Sequence, residues 1–262
     1  MKDIQAQFDN RNILIDKIGI SDLELPIILS KNKNKQEFTS ATLSLFVDLI
    51  ATQRGVHMSR LVELLHYFSK HSLSQKSALE FLEIVQKQTN SEKVFFNAEF
   101  TYFVNKKSPV SKKNSFMNYK CNIFSYANKR QKQLKYKVKV PVLSLCPCSL
   151  AISKIGAHNQ RSEVELSIIP KNNEWFDDFI RLIEKSASNE LFSILKRVDE
   201  KHVIDYAINN PCFAEDIVRE ISLGLKKKKY KTFLIQCKNY ESIHNHNVFA
   251  EISCNPKKWM TF

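Results

Sequence analysis

Two segments of the chain alternate apolar and polar residues with a period of two, and this pattern constrains both to extended strands. From Val94 to Val104 every second residue is apolar, and the same holds from Leu134 to Val142. In the second segment the other parity carries Lys135, Lys137 and Lys139. Successive side chains of a strand point to opposite faces, so each segment offers one face to a core. The second segment leads the chain directly into a pair of cysteines.

Segments with helical periodicity lie between the strands. One predicted helix runs to about Tyr67, and a second starts near Ser74 with an apolar stripe that includes Phe81 and Val85. Further helices are predicted over 175–186 and 199–208. Asn210 followed by Pro211 predicts an N-cap and the first residue of another helix.

The order of these elements predicts the fold class. Two strands, two helices and two strands are followed by much the same order after about residue 115. Antiparallel strands with helices inserted between pairs indicate an α+β protein whose helices lie on one sheet face. We expect one bimodular catalytic domain, with residues 1–114 as its first unit and 115–262 as its second, which carries most of the candidate site.

The charge of the chain favours anionic partners. Its formal net charge is +13, which suits a nucleic acid, a membrane surface or a phosphorylated small molecule. No apolar run approaches the roughly 20 residues of a membrane span, and the first residues contain no signal-peptide core. Six cysteines without such a signal predict a reducing, cytoplasmic location. No membrane partner is therefore expected, and no nucleic acid partner is expected because no basic arm or known binding module is visible.

Glycine is scarce, and each one is expected to meet a backbone requirement. There are four, Gly19, Gly55, Gly156 and Gly224, where average usage of about 7% would give roughly eighteen. We expect Gly156 to shape the turn that brings His158 back to Cys146.

Two neighbouring motifs carry soft metal-binding donors. LCPCS contains Cys146 and Cys148, and GAHNQRS contains His158. Thiolate and imidazole are preferred zinc ligands, so a metal site is one interpretation of this segment. The other is that the two thiols are small buried hydrophobes and the histidine is a polar residue with ordinary hydrogen bonds. The segment alone leaves both open.

Three later motifs add carboxylates and histidines. LKRVDEK carries Glu200, NPCFAED carries Glu215, and ESIHNH carries Glu241 with two histidines. Donors of these types can form a three-ligand metal site with an open position for water. Such a metal lowers the pKa of the water, and a nearby histidine or glutamate moves protons.

Together, RGVHMSR at residues 54–60 and these five later motifs, which follow it in the order given, resemble GTP cyclohydrolase I of type IB. The resemblance extends from Asp3 to Ala250. The chain departs from the family pattern at Val56, Val198 and Ala214, with threonine and proline expected at the first two. These departures concern local backbone geometry and remove no candidate ligand.

The resemblance implies a fold and a reaction. The fold is the tunnelling fold: two tandem ββααββ units whose antiparallel sheets form a barrel on oligomerisation. Family members are homotetramers with interfacial active sites. The reaction converts GTP and water to 7,8-dihydroneopterin triphosphate and formate, the first step of tetrahydrofolate biosynthesis, through attack of a metal-activated water on guanine C8.

The resemblance also implies roles for individual residues. By position, the metal ligands are Cys146, His158 and Glu200, and the metal is Zn²⁺ or Mn²⁺, with iron as a further candidate. Glu215 corresponds to the carboxylate that binds guanine. The acid–base group comprises Glu241, His244 and His246, which act with Cys146 as catalytic residues. The candidates for substrate binding through the triphosphate are Arg161, Lys196 and Arg197.

Three alternatives stay open from the sequence. A related tunnelling-fold enzyme gives a cyclic-phosphate pterin, and another reduces a nitrile with a thiol nucleophile and a nicotinamide. A basic, non-enzymatic nucleic-acid-binding protein rests on the net charge alone.

Overall fold

The computed structural model describes residues 4–32 and 35–255. The strands are β1 (Ile15–Asn32), β2 (Lys35–Leu49), β3 (Ser72–Leu73), β4 (Val94–Lys107), β5 (Asn114–Ala127), β6 (Lys132–Leu145), β7 (Asn159–Ile168), β8 (Asn189–Glu190), β9 (Phe233–Asn239) and β10 (Val248–Cys254). The helices are α1 (Met58–Ser69), α2 (Gln75–Thr89), α3 (Pro147–Ile152), α4 (Phe176–Lys185), α5 (Arg197–Asn209) and α6 (Ala214–Lys227).

The protein is α+β, as the order of the patterns predicts. The first alternating segment forms β4, in which Val94, Phe96 and Ala98 are completely buried. The second forms β6, and two of its lysines lie close to acidic residues of β7: Lys137 Nζ is 2.9 Å from Glu165 Oε1, and Lys139 Nζ is 3.6 Å from Glu163 Oε1. The positive charges of these two lysines are therefore matched across the strand pair.

Contacts divide the chain into two units that interleave along the sequence. Unit 1 contains the residues up to 101, together with 122–135 and 170–173. Unit 2 contains 102–121, 136–169 and the residues from 174 onward. The boundary expected between residues 114 and 115 falls after the first residue of β5, a strand whose residues belong to both units.

Unit 1 is a sheet covered by α1 and α2. Its strand order is β4-β2-β1-β3, antiparallel except for the short β1–β3 pair. Phe68, Phe81 and Phe96 form an aromatic cluster with ring centroids 4.6–5.1 Å apart. As predicted, α2 starts at Ser74, whose hydroxyl accepts a hydrogen bond from Ser77 N–H.

Unit 2 contains the strand order β10-β9-β7-β6, all antiparallel, with β8 paired to β6 at Val142 and Leu143. Residues of α4 pack closely onto this sheet: the rings of Tyr136 and Phe176 stack with centroids 4.3 Å apart. Unit 2 carries every residue predicted for the site.

At two of the four glycines, neighbouring atoms leave no room for a side chain. The expectation for Gly156 is wrong. A Cβ at Gly19 would lie 2.0 Å from the carbonyl oxygen of Leu45, and one at Gly224 would lie 2.5 Å from Leu182 Cδ1. A Cβ at Gly156 meets nothing within 4 Å, and no glycine of the described chain has a positive φ. The turn before His158 therefore requires no glycine within one chain.

The helix predicted from Asn210 and Pro211 begins later, at Ala214. Cys212 N–H donates to the carbonyl oxygen of Leu145 at 3.1 Å, which holds this segment extended against the end of β6. The helix start is instead secured by Asp216, whose carboxylate accepts from Phe213 N–H at 3.1 Å. Asn210 is the C-cap of α5.

A buried ionic cluster fixes the segment that leads to α5. Lys106 Nζ donates to Glu184 Oε1 at 2.8 Å and to the carbonyl oxygen of Leu191 at 2.9 Å. Tyr119 OH donates to the same Glu184 oxygen at 2.6 Å. Burial raises the pKa of Glu184, while Lys106 and Tyr119 act in the opposite direction. Breaking such a pair would leave an uncompensated buried charge.

Within the described part of the chain, no helix is both long enough and apolar enough to span a bilayer.

Candidate functional site

The end of β6 and the start of β7 bring Cys146 and His158 together. The two strands pair up to Leu145 and Asn159. Cys146 N–H then donates to the carbonyl oxygen of His158 at 3.1 Å. This bond closes a loop that contains α3, so both candidate ligands lie at the same end of one strand pair.

The structure distinguishes the two neighbouring thiols. Cys146 is half-buried at the N-cap of α3, where its Sγ accepts a hydrogen bond from Ser149 N–H at 3.4 Å. Cys148 is exposed on the first turn of that helix. Cys146 is therefore the thiol that is fixed beside His158.

The His158 side chain is held through one ring nitrogen. Its Nδ1 lies 3.1 Å from Gln160 Oε1 and 3.4 Å from Ser242 Oγ. Its backbone N–H donates to Ser149 Oγ at 3.1 Å. These contacts fix the ring. None of the hydrogen bonds that His158 makes with the described residues involves Nε2.

Behind His158 lies a buried polar network, which includes Gln160. Gln160 Nε2 is 3.5 Å from Glu241 Oε1 and 3.4 Å from Ser144 Oγ. Ser144 Oγ donates to the carbonyl oxygen of Cys212 at 2.8 Å. Asn239 Nδ2 donates to Ser144 Oγ at 3.3 Å, and Ser162 Oγ donates to Asn239 Oδ1 at 2.6 Å. The network thus joins β6, β7, β9 and the segment before α6.

The ESIHNH loop divides into an attached part and an exposed part. Glu241 is half-buried beside Gln160, and Ser242 reaches His158. His244 and His246 are exposed, and their rings stack with centroids 5.0 Å apart. The structure therefore joins Glu241 to the His158 group and leaves the two histidines at the surface.

The two adjacent carboxylates of LKRVDEK have different environments. Asp199 is completely buried, and its oxygens accept from Val110 N–H, Ser111 N–H, Ser111 Oγ and Lys196 N–H at 2.6–2.8 Å. Glu200 is exposed on the first turn of α5. All of the hydrogen-bonding capacity of Asp199 is used within the fold, so Glu200 is the carboxylate available to a ligand.

Asp199→Asn is expected to destabilise the protein and to make its stability depend less on pH in the acid range. Burial alone would raise the pKa of Asp199, but hydrogen bonds from Ser111, Lys196 and Val110 outweigh it and hold the pKa well below its ordinary value. A carboxyl with a lowered folded pKa stabilises the fold above its unfolded pKa of about 3.9, and this contribution is lost as the pH falls through the folded pKa. The NH₂ group of asparagine would also face the N–H and O–H groups that donate to Asp199 in the wild type.

We therefore expect Asp199→Asn to lower the Tm at neutral pH by roughly 5–10 °C, with a smaller further loss below about pH 4 than in the wild type. Thermal melts followed by circular dichroism across that range measure both. Asp205→Asn is the matched control, because Asp205 lies on the same helix in an exposed pair with Lys201. Equal Tm values for the two variants would contradict the anchoring role.

Glu215 lies exposed on the first turn of α6. Within the described residues, its carboxylate has no hydrogen-bond or ion-pair partner, whereas neighbouring Asp216 is engaged by Phe213 N–H and Arg219. Burial raises the pKa of the Cys237 thiol to about 12, and the charge of Glu215 adds to the rise. Glu215 therefore presents a free carboxylate at the start of α6.

The predicted cations fall into two groups. Lys196 and Arg197 are exposed at the start of α5, beside Glu200. Arg161 is exposed on the face of β7 opposite to Gln160, because adjacent strand residues alternate. There it lines an open depression of about 660 Å³ with Glu163 and Tyr240. The structure does not bring Arg161 to the face that carries Gln160.

Comparison with solved structures identifies the fold. A uricase from Arthrobacter globiformis superposes with a TM-score of 0.52, at 9% identity, over 92% of this chain and 94% of that one. At this identity the likeness concerns the fold alone, and it is the tunnelling fold that the motifs imply.

Sequence comparison identifies the family. The profile of type I GTP cyclohydrolase folE2 matches residues 1–250. This chain belongs to the FolE2 family. It is 44% identical over 257 residues to the GTP cyclohydrolase FolE2 of Desulfosudis oleivorans, covering 97% of this chain and 98% of that protein. It is 40% identical over 251 residues to the one from Thermosipho africanus, covering 95% and 96%.

In this FolE2 chain the donors proposed for a metal match the chemistry of a zinc site in type: a thiol, an imidazole and a carboxylate. One ring nitrogen of His158 is engaged by Gln160, which is the usual arrangement for a metal-binding histidine. Over the described ranges, however, no three His, Cys, Asp or Glu side chains of one chain come together as a metal site. The fold pairs Cys146 with His158, and Glu200 lies outside that pair.

Sequence reasoning assigned no role to Gln160, Ser144, Asn239 or Asp199. For Gln160 a signal was present, since it shares the strand parity of His158 and Ser162. For Asp199 the signal was its place three residues after Lys196, the spacing of a carboxylate that caps a helix start. Ser144 and Asn239 carried no local signal, because their partners are distant in the sequence.

Proposed function

We propose that this protein is a type I GTP cyclohydrolase, which hydrolyses GTP to 7,8-dihydroneopterin triphosphate and formate as the first step of tetrahydrofolate biosynthesis. The observation that carries the proposal is the family match over residues 1–250, reinforced by relatives of the same name at about 40% identity over nearly their full length. The pairing of Cys146 with His158 at one strand end supports it.

The proposed cofactor is a divalent metal, Zn²⁺ or Mn²⁺, with iron as a further candidate, held by Cys146, His158 and Glu200. When bound, such an ion lowers the pKa of water and polarises the substrate. The environments of the three residues support this set. Cys146 and not Cys148 is fixed beside His158, and Glu200 and not Asp199 has a free carboxylate.

Glu215 is proposed to bind guanine. A carboxylate accepts two hydrogen bonds side by side, which matches the adjacent N1–H and N2–H donors of the base. The lack of a partner for Glu215 among the described residues leaves both of its oxygens available. This contact would fix the orientation of the base in the site.

Proton transfer is proposed for Glu241, His244 and His246. Glu241 Oε1 is close to the amide of Gln160, which orients that carboxylate from the buried side. The exposed, stacked rings of His244 and His246 can exchange protons with water. A carboxylate fixed at one end of a loop and two imidazoles at its tip provide both a base and acids for opening of the imidazole ring.

The triphosphate requires cations. Lys196 and Arg197 are exposed next to Glu200, so they are our first candidates, and guanidinium groups bind phosphate oxygens in pairs. Arg161, on the other face of β7, would bind phosphate only from a substrate that reaches that face.

The proposed assembly is a homotetramer with active sites at subunit interfaces, located in the cytoplasm. Apolar side chains beside the candidate site support an interface: Ile155 is 98% exposed, Ile152 88% and Ile243 63%. Large exposed apolar patches commonly mark contact surfaces. Strand β10 is at the edge of the unit 2 strand order, with Phe249 exposed, and a further strand could pair there. All six cysteines are free, which supports a reducing compartment.

An assay of the purified protein tests the reaction. Protein stripped with a chelator and reloaded with Zn²⁺ or Mn²⁺ is expected to release one formate per GTP and to give a fluorescent pterin after oxidation. The stripped protein is the control. Mass spectrometry of the product separates a triphosphate from a cyclic phosphate. Consumption of NADPH after chelation, with a nitrile supplied in place of GTP, would indicate nitrile reduction. Absence of pterin at every metal loading would overturn the proposal.

A further inference from the structure

The carboxamide of Gln160 lies between His158 and Glu241 on the buried side of the candidate site. Gln160 is only 6% exposed. Its Oε1 is 3.1 Å from His158 Nδ1, and its Nε2 is 3.5 Å from Glu241 Oε1 and 3.4 Å from Ser144 Oγ. An imidazole and a carboxylate therefore face opposite ends of one amide.

The chemistry of these neighbours fixes the orientation of the amide. An ionised carboxylate only accepts hydrogen bonds, so the NH₂ end of Gln160 must face Glu241. The carbonyl oxygen then faces His158 Nδ1, and a carbonyl oxygen also only accepts. In the neutral imidazole, His158 must therefore carry its proton on Nδ1, which leaves a lone pair on Nε2.

We propose that Gln160 is a positioning residue that holds His158 in its Nδ1–H tautomer and so presents Nε2 as a metal ligand. This inference rests on the proposed function, because it assigns a purpose to the tautomer only if His158 binds a metal. A metal-binding histidine needs its other ring N–H engaged by an acceptor, and the acceptor sets both ring orientation and affinity.

The fold keeps Gln160 in this orientation. It is the cross-strand partner of Ser144, which donates to the carbonyl oxygen of Cys212. Asn239 and Ser162 extend the network into the interior. Because the amide is buried among these groups, rotation would place its oxygen against the Glu241 carboxylate and against Ser144 Oγ, whose proton is donated to Cys212, and both contacts would be unfavourable.

The first test measures the tautomer in the metal-free protein. Long-range ¹H–¹⁵N correlation spectra of ¹⁵N-histidine-labelled protein, recorded where the imidazole is neutral, distinguish Nδ1–H from Nε2–H. The wild type is expected to show Nδ1–H at His158. Gln160→Met keeps the length of the side chain and removes the carbonyl acceptor, so it is expected to shift His158 toward Nε2–H and to weaken zinc binding about 10- to 100-fold in chelator competition.

A rescue variant separates positioning from simple packing. In the double variant Gln160→Glu with Glu241→Gln, the amide and the carboxylate exchange positions. The side chain at position 160 still accepts a hydrogen bond from His158, and the amide at position 241 donates one to the carboxylate at position 160. The Nδ1–H tautomer and zinc affinity are expected to return toward wild-type values. If Gln160→Met does not fold, this variant decides alone: Nε2–H at His158 would overturn the proposal.

Gln236→Met is the matched control, because it makes the same substitution on β9, where Gln236 Nε2 donates to Glu251 Oε2 at 2.7 Å and does not contact His158. It is expected to leave the tautomer and zinc affinity unchanged. An unchanged tautomer and affinity in Gln160→Met would overturn the inference. A wild-type Nδ1–H tautomer that Gln160→Met removes, in a protein that binds no zinc, would support the tautomer assignment and overturn the proposed metal site.

Discussion

Replacement of Cys146 by alanine is expected to abolish zinc retention and formation of the pterin product. Cys146 is the thiol fixed at the N-cap of α3, beside His158. Loss of a ligand should cost more than the 10- to 100-fold in affinity typical of losing a supporting hydrogen bond. Zinc content by elemental analysis and formate release from GTP measure the two effects.

Cys148→Ala is the control for this experiment. It removes a thiol two residues away that is exposed on the same short helix. We expect it to retain zinc and most of the activity. Equal losses in the two variants would mean that the segment tolerates neither change. Zinc retained in Cys146→Ala but lost in Cys148→Ala would reverse the ligand assignment.

Replacement of Glu215 by glutamine is expected to lower kcat/KM for GTP by about 10²- to 10⁴-fold with little change in stability. The carboxylate is exposed and unpaired among the described residues, so the fold does not depend on it. Glutamine keeps one acceptor but turns its NH₂ toward a donor of guanine. Steady-state kinetics measure the loss, and the Tm checks the fold.

Two comparisons make the Glu215 result specific. Glu220→Gln changes an exposed carboxylate on another side of α6 and is expected to leave kcat/KM within about twofold. Inosine triphosphate lacks the 2-amino group, so wild type and Glu215→Gln should differ less with it than with GTP. The same ratio for both nucleotides would indicate that Glu215 does not bind the N2–H donor.

The strands of this protein could be predicted from the sequence because their signal is local. In β4 the alternate apolar positions Val94, Phe96 and Ala98, which share one face in the sequence pattern, are the ones that the structure buries. The capped start of α2 at Ser74 is local as well. The fold class followed from the order of such elements, and the tunnelling fold followed from the family motifs.

The errors come from interactions that the sequence does not display. Asn210 and Pro211 carry the local signal of a helix start, but pairing of Cys212 N–H with Leu145, far away in the chain, delays the helix to Ala214. Gly156 was expected to be required by the turn before His158, yet it has ordinary φ and open space around its Cα.

The candidate site was predictable in its membership and less so in its supporting residues. Motifs identify Cys146, His158 and Glu215, but burial alone separates Glu200 from Asp199, since the two carboxylates are neighbours on one helix turn. Gln160 is chemically unremarkable until Glu241 is seen at its other end. The positions of these supporting groups depend on strand pairing, which a local pattern cannot supply.

The anchoring of Asp199 also restricts the hairpin turn between β4 and β5. Such surface turns ordinarily accept insertions and deletions. Here the turn is closed by Ser108 N–H donating to Lys113 O at 2.9 Å, and it supplies Val110 and Ser111 to Asp199. One residue more or less would withdraw those donors from a buried carboxylate. The turn therefore has a fixed length, although it lies some ninety residues before the helix whose start it secures.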